Sequence, residues 1–300
     1  MVVTHGTLQR ARSGCALTIG NFDGVHRGHR ALLERVVAKA RELDVTSCVL
    51  TFEPHPREFF APQAAPPRLT PLRDKLELIA AIGIERVHVI RFEARFAGLS
   101  AARFVDDILL RGLGTRWLLV GRDFRFGAQR KGDFAALQGK GFALEAMADV
   151  AFEGERVSSS AVRSALAAGE FERAQRLLGR SYSISGKVVH GAHLGRDLGF
   201  PTANINLRQR PPLAGIYVVE VDRYGPGVAS VGRRPTVNPL PRPLLEVHLL
   251  EWNGDLYGRR LNVRFLRKLR DEAKFDGLPA LREAMARDAA QARDYFARHG

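Results

Sequence analysis

Cysteine is almost missing from this chain: Cys15 and Cys48 are the only two in 300 residues. They share no metal-type spacing and sit in apolar, strand-like segments. A disulfide scaffold is excluded, and both read as small buried hydrophobes in a reducing compartment. Long apolar runs are missing as well, since none approaches the ~20 residues that span a bilayer. The opening Met1-Val2-Val3-Thr4-His5 lacks the basic-then-apolar layout of a secretory signal, so a soluble, cytoplasmic protein with no membrane partner is expected. Neither common glycine fingerprint for nucleotides is present. There is no G-x-G-x-x-G, and Gly127-Ala128-Gln129-Arg130-Lys131-Gly132 is followed by Asp133 instead of Lys and Ser or Thr. Acidic residues are scarce beside basic ones, 32 against 46, for a formal net charge of +14. Such a balance invites nucleic acid, yet the excess is arginine spread along the chain, with no lysine tract, zinc finger or aromatic RNA-binding motif. No nucleic-acid partner is expected. Small anionic ligands and a solvated arginine-rich surface account for the charge.

What is present is enough apolar material, 45% of residues, for two ordinary domains with separate cores. The most informative stretch is Gly20-Asn21-Phe22-Asp23-Gly24-Val25-His26-Arg27-Gly28-His29. It follows an apolar segment, Ala16–Ile19, and precedes Leu32, Leu33, Val36, Val37, Ala40 and Leu43, spaced as one buried face of a helix. That is a strand, a tight turn and a helix N-terminus, where unpaired N–H groups and the helix dipole attract an anion, most simply a phosphate. His26 and His29 can both face it, and Gly28 between them leaves room for a nucleotide. A zinc site would need further ligands, and no Cys/His cluster supplies them.

The first half continues as strands separated by helices: Ser47–Phe52, a helix over Leu72–Ile82, Arg86–Phe92, a helix over Ala101–Leu110, and Arg116–Gly121. This alternation predicts a parallel sheet with ligands at the carboxyl ends of its strands. Two further motifs fall there: Phe52-Glu53-Pro54-His55-Pro56 and Gly121-Arg122-Asp123-Phe124-Arg125-Phe126-Gly127. Ser158, Ser159, Ser160 and Arg163 then offer hydroxyls and a cation at a helix start, and a helix over Glu170–Leu178 ends at the C-cap Gly179. The boundary is placed there, dividing the chain into residues 1–180 and 181–300.

Beyond Tyr182 the period changes to two. Gly215–Asp222, Leu244–Trp252 and Leu261–Leu266 read as strands, with Asn253-Gly254 as a hairpin turn between the last two. Strands without intervening helices predict an antiparallel barrel. A closing helix over Pro279–Ala297 carries Leu281, Met285, Ala289 and Ala292 as the stripe that packs on it. The densest motif of the chain opens this half, running from Gly186 and Lys187 through Gly191, Gly195, Arg196 and Gly199 to Pro201-Thr202-Ala203-Asn204. Its glycines suit a loop that closes over phosphates, which Arg196 would neutralise. In extended backbone Thr202 and Asn204 point to one side, a hydroxyl and an amide oxygen suited to a hard Mg²⁺ bridged by phosphates.

At Gly20–His29 the chain resembles the H-x-G-H nucleotidyltransferases, and in particular the adenylyltransferase half of the bacterial bifunctional riboflavin kinases/FMN adenylyltransferases, the FAD synthetases. Gly199–Asn204 resembles the Gly-x-Pro-Thr-Ala-Asn core of the riboflavin kinase signature. The likeness continues in family order through Gly215-Ile216-Tyr217, Ser230-Val231-Gly232, Pro235-Thr236, Glu246-Val247-His248, Leu256-Tyr257-Gly258 and Lys274-Phe275. It implies a Rossmann-like domain followed by a kinase barrel that together turn riboflavin into FMN and then FAD, with ATP as co-substrate and ADP and pyrophosphate as products. It also implies Glu246 as the kinase base, Thr202 and Asn204 as holders of nucleotide and Mg²⁺, and Gly186, Lys187, Gly191 and Arg196 as part of that nucleotide site. In the first half, His26, His29 and Arg163 would stabilise the transferring phosphate, while Asn21, Phe22, Gly28, Asp123, Ser159 and Ser160 would line the ATP and flavin pocket. Two departures stand out: Ala161 where the family often has arginine, and Asp123 where some members have asparagine. A monomer or weak homo-oligomer is expected. Single-domain adenylyltransferases with another acceptor lack the Pro201–Asn204 constellation, and a binding module without catalysis would not keep His26, His29, Thr202, Asn204 and Glu246 intact.

Overall fold

The structure is a computed structural model and describes residues 1–6, 10–11, 13–191, 198–233 and 243–299. It divides into two compact units. One holds residues 1–66 and 72–158, the other residues 67–71 and 159–300.

The first unit is built on a six-stranded parallel sheet: β1 (Val2–His5), β2 (Cys15–Ile19), β3 (Thr46–Glu53), β4 (Arg86–Arg91), β5 (Thr115–Gly121) and β6 (Ala143–Met147), in the spatial order β1-β4-β3-β2-β5-β6. Between strands run α1 (Arg27–Glu42), α2 (Pro56–Phe60), α3 (Leu72–Ala81), and the short α4 (Ala94–Ala97) and α5 (Ala101–Arg103). The period-two alternation of the strands sorts side chains to two cores. Ala16, Val49, Val87, Trp117 and Leu119 meet Leu33, Val36, Val37 and Ala40 of α1 on one face. Leu17, Leu50, Leu118 and Val120 meet Phe104, Val105 and Leu109 on the other. The helix expected over Ala101–Leu110 changes character after Arg103, because Phe104–Gly112 winds as a π-helix. The wider turn sets Phe104 and Leu109, five apart, together against the sheet, which a 3.6-residue turn would not do. Strands β1 and β6 carry too weak a period-two signal to have been expected from the sequence.

The parallel order reverses between β2 and β5, since β3 and β4 lie to one side of β2 and β5 and β6 to the other. Crevices at such a reversal, outside the carboxyl ends of the strands, are where open α/β sheets bind ligands. A small antiparallel pair, β7 (Ala151–Phe152) with β8 (Glu155–Arg156), completes this unit.

In the second unit, α6 (Ser159–Ala167) and α7 (Phe171–Leu178) precede a closed barrel of β9 (Ser183–Val189), β10 (Ala203–Asn206), β11 (Gly215–Val221), β12 (Gly225–Arg233), β13 (Pro243–Leu249) and β14 (Arg260–Arg270), ordered β10-β13-β12-β11-β14-β9 with every pair antiparallel. The hairpin expected at Asn253-Gly254 is corrected here: β13 pairs with β10 and β12, and β14 with β11 and β9, so the two never meet. The connection instead crosses one end of the barrel. By packing, α6 and α7 go with the barrel, Phe171 lying edge-on to Tyr217 of β11 at 5.8 Å. The boundary expected at Gly179 follows the change of periodicity, not the change of core. Gly179 does cap α7 in the left-handed region, φ 76°. The closing helix α8 (Leu278–His299) buries Ala284, Asp288, Ala289 and Ala292. Its expected stripe is displaced toward Asp288, which Arg270 of β14 grips through two nitrogens at 3.0 and 2.7 Å. Removing one partner of so enclosed a pair costs about 3–5 kcal/mol.

Candidate active sites

The chain leaves β2 at Ile19 and must enter α1 at Arg27. It does so through three residues in the left-handed region, Phe22 (φ 48°), Gly24 (88°) and Val25 (40°). For a β-branched residue this is an outlier, with strain of about 1–3 kcal/mol. Burial of Phe22 and Val25 in the sheet core holds it in place. The turn delivers His26 to the N-cap of α1, where Nδ1 accepts the His29 backbone N–H at 3.2 Å. The two imidazoles stack at 3.6 Å and 15°, and Phe22 meets His29 edge-on at 5.2 Å. A Cβ at Gly28 would come within 3.3 Å of the His26 ring, and one at Gly20 within 3.1 Å of Phe22, so both glycines make room for a ring. Beside them, Arg27 lies over the Phe152 ring at 4.0 Å.

Asn21 continues from β2 and Asp123 from the adjacent β5, so both leave the sheet at the reversal point. Asn21 Oδ1 is buried without a hydrogen-bond partner, at a cost of about 1–3 kcal/mol for an acceptor left unmet. Asp123 folds back over Gly121, where a Cβ would stand 2.8 Å from its Oδ1. His55 caps α2, its Nδ1 accepting the Arg57 N–H at 3.0 Å. Sequence reasoning missed the aromatic cluster at the same sheet edge. Phe52, Phe59, Phe60, Phe92 and Phe96 pack ring to ring, with Phe60 still 67% exposed. The adjacent pair Phe59-Phe60 just past a strand end was the available signal. Ser159, Ser160 and Arg163 fall in α6 and hence in the second unit, where Arg163 Nε donates to Pro67 O at 2.7 Å.

On the barrel, Asn204, Glu246 and Ser230 are direct partners across β10, β13 and β12, which puts their side chains in one row on the outer wall. Asn204 is only 6% exposed. Its Nδ2 donates to Thr202 O at 3.2 Å, and its Oδ1 has no hydrogen-bond partner. A Cβ at Gly191 would overlap this amide. Gly186 faces the other way, into the barrel, where a Cβ would overlap Ile205, so its smallness serves packing. Lys187 stands on the outer wall, diagonal to Asn204 through Val189. His248, two residues past Glu246, donates from Nδ1 to Pro201 O at 3.0 Å; burial holds its pKa below the ordinary histidine value. His190 stacks on Tyr257 at 4.0 Å beside Gly191. His248 was quoted from the sequence only as part of the family motif Glu246-Val247-His248, and neither it nor His190 was given a role there, because a lone histidine has no spacing signal. Arg196 lies outside the described residues. Among the described residues no His, Cys, Asp or Glu cluster of three could hold a metal, and no helix is long and apolar enough to cross a membrane.

Comparison with known proteins finds two family matches along the chain. Residues 8–161 match the family model for FAD synthetase, and residues 178–296 the model for riboflavin kinase. A bifunctional riboflavin kinase/FMN adenylyltransferase of Pseudomonas fluorescens is 52% identical, covering 95% of this chain and 94% of its own. Its namesakes in Escherichia coli K12 and Haemophilus influenzae are 48% and 42% identical, each covering at least 96% of both chains. A solved structure described as a macrolide-efflux protein from Streptococcus pneumoniae has a TM-score of 0.79 at 27% identity, covering 98% of this chain and 99% of that one.

Proposed function

The chain belongs to the bifunctional riboflavin kinase/FMN adenylyltransferase family, and we propose which of its residues carry each reaction. It phosphorylates riboflavin to FMN and adenylylates FMN to FAD, each time with ATP. We assign the kinase to the barrel wall. The 5′-hydroxyl of riboflavin attacks the γ-phosphorus of ATP, its proton passes to Glu246, and ADP leaves. The observation that carries this is Asn204: a buried amide oxygen with no partner, in register with a carboxylate, is a place prepared for a ligand. A neutral oxygen of this kind fits Mg²⁺, which Asn204 and Thr202 would hold and which would neutralise phosphate charge. Lys187, Gly191 and Arg196 border the nucleotide.

The adenylyl transfer belongs to the His26 turn. FMN phosphate attacks the α-phosphorus of ATP and pyrophosphate leaves, while His26, His29 and the dipole at the N-terminus of α1 stabilise the developing charge. Asn21, Phe22, Gly28 and Asp123 border the nucleotide; Ser159, Ser160 and Arg163 are assigned to the same reaction on family grounds. The exposed end of the phenylalanine cluster, at Phe59 and Phe60, is the surface for the isoalloxazine ring. We place the protein in the cytoplasm, as a monomer or weak homo-oligomer; both of its cysteines are free and buried. Incubating the protein with riboflavin and Mg-ATP and separating the flavins tests the whole scheme. FMN and FAD should both form, and His29→Ala should let FMN accumulate.

A further inference from the structure

The ladder that joins β10 to β13 ends one step before Thr202. Its last pair is Ala203 with Val247, and the next positions along the same register are Thr202 and His248. Thr202 lies outside β10, and Pro201 before it has no N–H with which to prolong a ladder. Strand β13 runs on to Leu249, because β12 continues to pair with it and sets Val228 opposite His248. A paired strand thus stands beside a segment that has left its own sheet. The His248 side chain spans the gap: Nδ1 donates to Pro201 O at 3.0 Å, and the ring meets Phe200 edge-on at 5.3 Å. A carbonyl can only accept, so this bond puts the ring proton on Nδ1. On the other side of Thr202, Asn204 Nδ2 donates to Thr202 O at 3.2 Å, which leaves Asn204 Oδ1 as the atom without a hydrogen-bond partner. His248 and Glu246 are two apart on one strand and share the outer wall, so the bond draws residues 200–202 toward the face that carries the carboxylate.

We propose that His248 is a positioning residue of the kinase site: its side chain replaces the missing rung of the ladder and fixes Thr202 and Asn204 on the barrel wall to meet the phosphates of ATP. The inference rests on the reading that Thr202 and Asn204 hold the nucleotide. Without the bond to Pro201 O, the segment is tied to β13 only from Ala203 onward, and Thr202 loses its set place beside Asn204. An anchor of this kind serves the bound nucleotide before and during transfer alike. Its loss therefore appears in the KM for ATP and leaves kcat nearly unchanged.

Two amides distinguish the two ring nitrogens. Asparagine carries a donor near the place of Nδ1 and glutamine one near the place of Nε2, while both lose the ring contact with Phe200 equally. In the full chain, His248→Gln and His248→Leu should raise the KM for ATP in riboflavin phosphorylation by roughly five- to tenfold, with kcat and the KM for riboflavin little changed. His248→Asn should bring the KM for ATP back to within about twofold of its original value. Amide hydrogen exchange in the ligand-free chain reads the same anchor without turnover: residues 202–204 should exchange faster in the Gln and Leu variants than in the Asn variant. FMN adenylylation, measured in parallel, reports whether each variant is intact elsewhere, and the Asn and Gln variants decide the matter alone if the Leu variant does not fold. An unchanged KM for ATP in His248→Gln, or an Asn variant that fares no better than the Gln variant, overturns the proposal. Failure of the underlying reading shows separately: Thr202→Ala and Asn204→Ala with the KM for ATP and kinase turnover both intact mean that these residues do not hold the nucleotide, whatever His248 does.

Discussion

On the proposed assignment the chain meets the phosphates of ATP twice, with different materials. In the first unit it is the N-terminus of α1, with its dipole, and two stacked imidazoles on a strained turn, with one acceptor, Asn21 Oδ1, left open just before them. On the barrel wall the row is Asn204, Glu246 and Ser230, and the feature left open is an acceptor, Asn204 Oδ1. A helix N-terminus can receive an anion directly. An acceptor wall can do so only through a cation, and the carboxylate in the row adds a place for a proton. The scaffolds match this difference. A parallel sheet ends in helix N-termini, which are sources of donors, whereas a barrel strand has its backbone groups paired and must work with side chains.

The comparison is tested most severely at the division itself. A fragment of residues 181–300 removes Phe171 from Tyr217, a loss of about 3–5 kcal/mol by the scale of buried aromatic truncations. Residues 159–300 should accordingly melt well above 181–300, and a tie between them would mean that α6 and α7 contribute nothing to the barrel. Next come the crossed variants. His29→Ala should slow FAD formation by roughly 10²–10³-fold with riboflavin phosphorylation nearly unchanged. Asn204→Ala should do the reverse, and parallel loss of both activities in a folded variant would deny two sites. A smaller effect concerns the cation. Thr202 and Asn204 bring no charge, so Mg²⁺ should bind the ADP complex at least about tenfold more tightly than the free protein. Equal affinities by calorimetry would point to an anionic metal site of the protein's own.

The smallest effect concerns His88 in β4. Its Nε2 donates to Gly6 O at 3.2 Å and Nδ1 accepts the Thr4 hydroxyl at 2.8 Å, an arrangement that needs the neutral ring. Burial is the main cause that lowers its pKa from the ordinary 6.5. The unfolded chain thus takes up a proton first as pH falls, so the stabilisation is complete above the ordinary value and lost below it. Thermal melts of the full chain should show stability rising from pH 5 to 7 more steeply than in His88→Gln. Identical slopes would remove the histidine from the account.

Much of this was legible in the sequence where a local pattern determines the outcome. The strand, turn and helix around Gly20–His29 form because glycine spacing and the apolar stripe act over a few residues, and Gly179 caps its helix for the same reason. Local spacing picked out Asn204 and the family likeness supplied Glu246, but no periodicity could pair them, since the pairing joins β10 to β13 across 41 intervening positions of chain. What escaped notice depended on long-range closure. The Asn253-Gly254 dipeptide is good hairpin chemistry, but barrel closure outweighs it. The stripe on α8 turned toward Asp288 because a buried charge pair, unlike a methyl group, has one partner it must reach.

One detail of the second unit bears on how such a protein can be taken apart. Residues 67–71 belong to it although they are enclosed in sequence by the first unit, and Arg68 N–H donates to Arg210 O while Pro67 O receives Arg163. The barrel half is thus not a single substring of the chain. Any cut-and-paste of modules at one junction leaves behind five residues that the recipient half would have to replace.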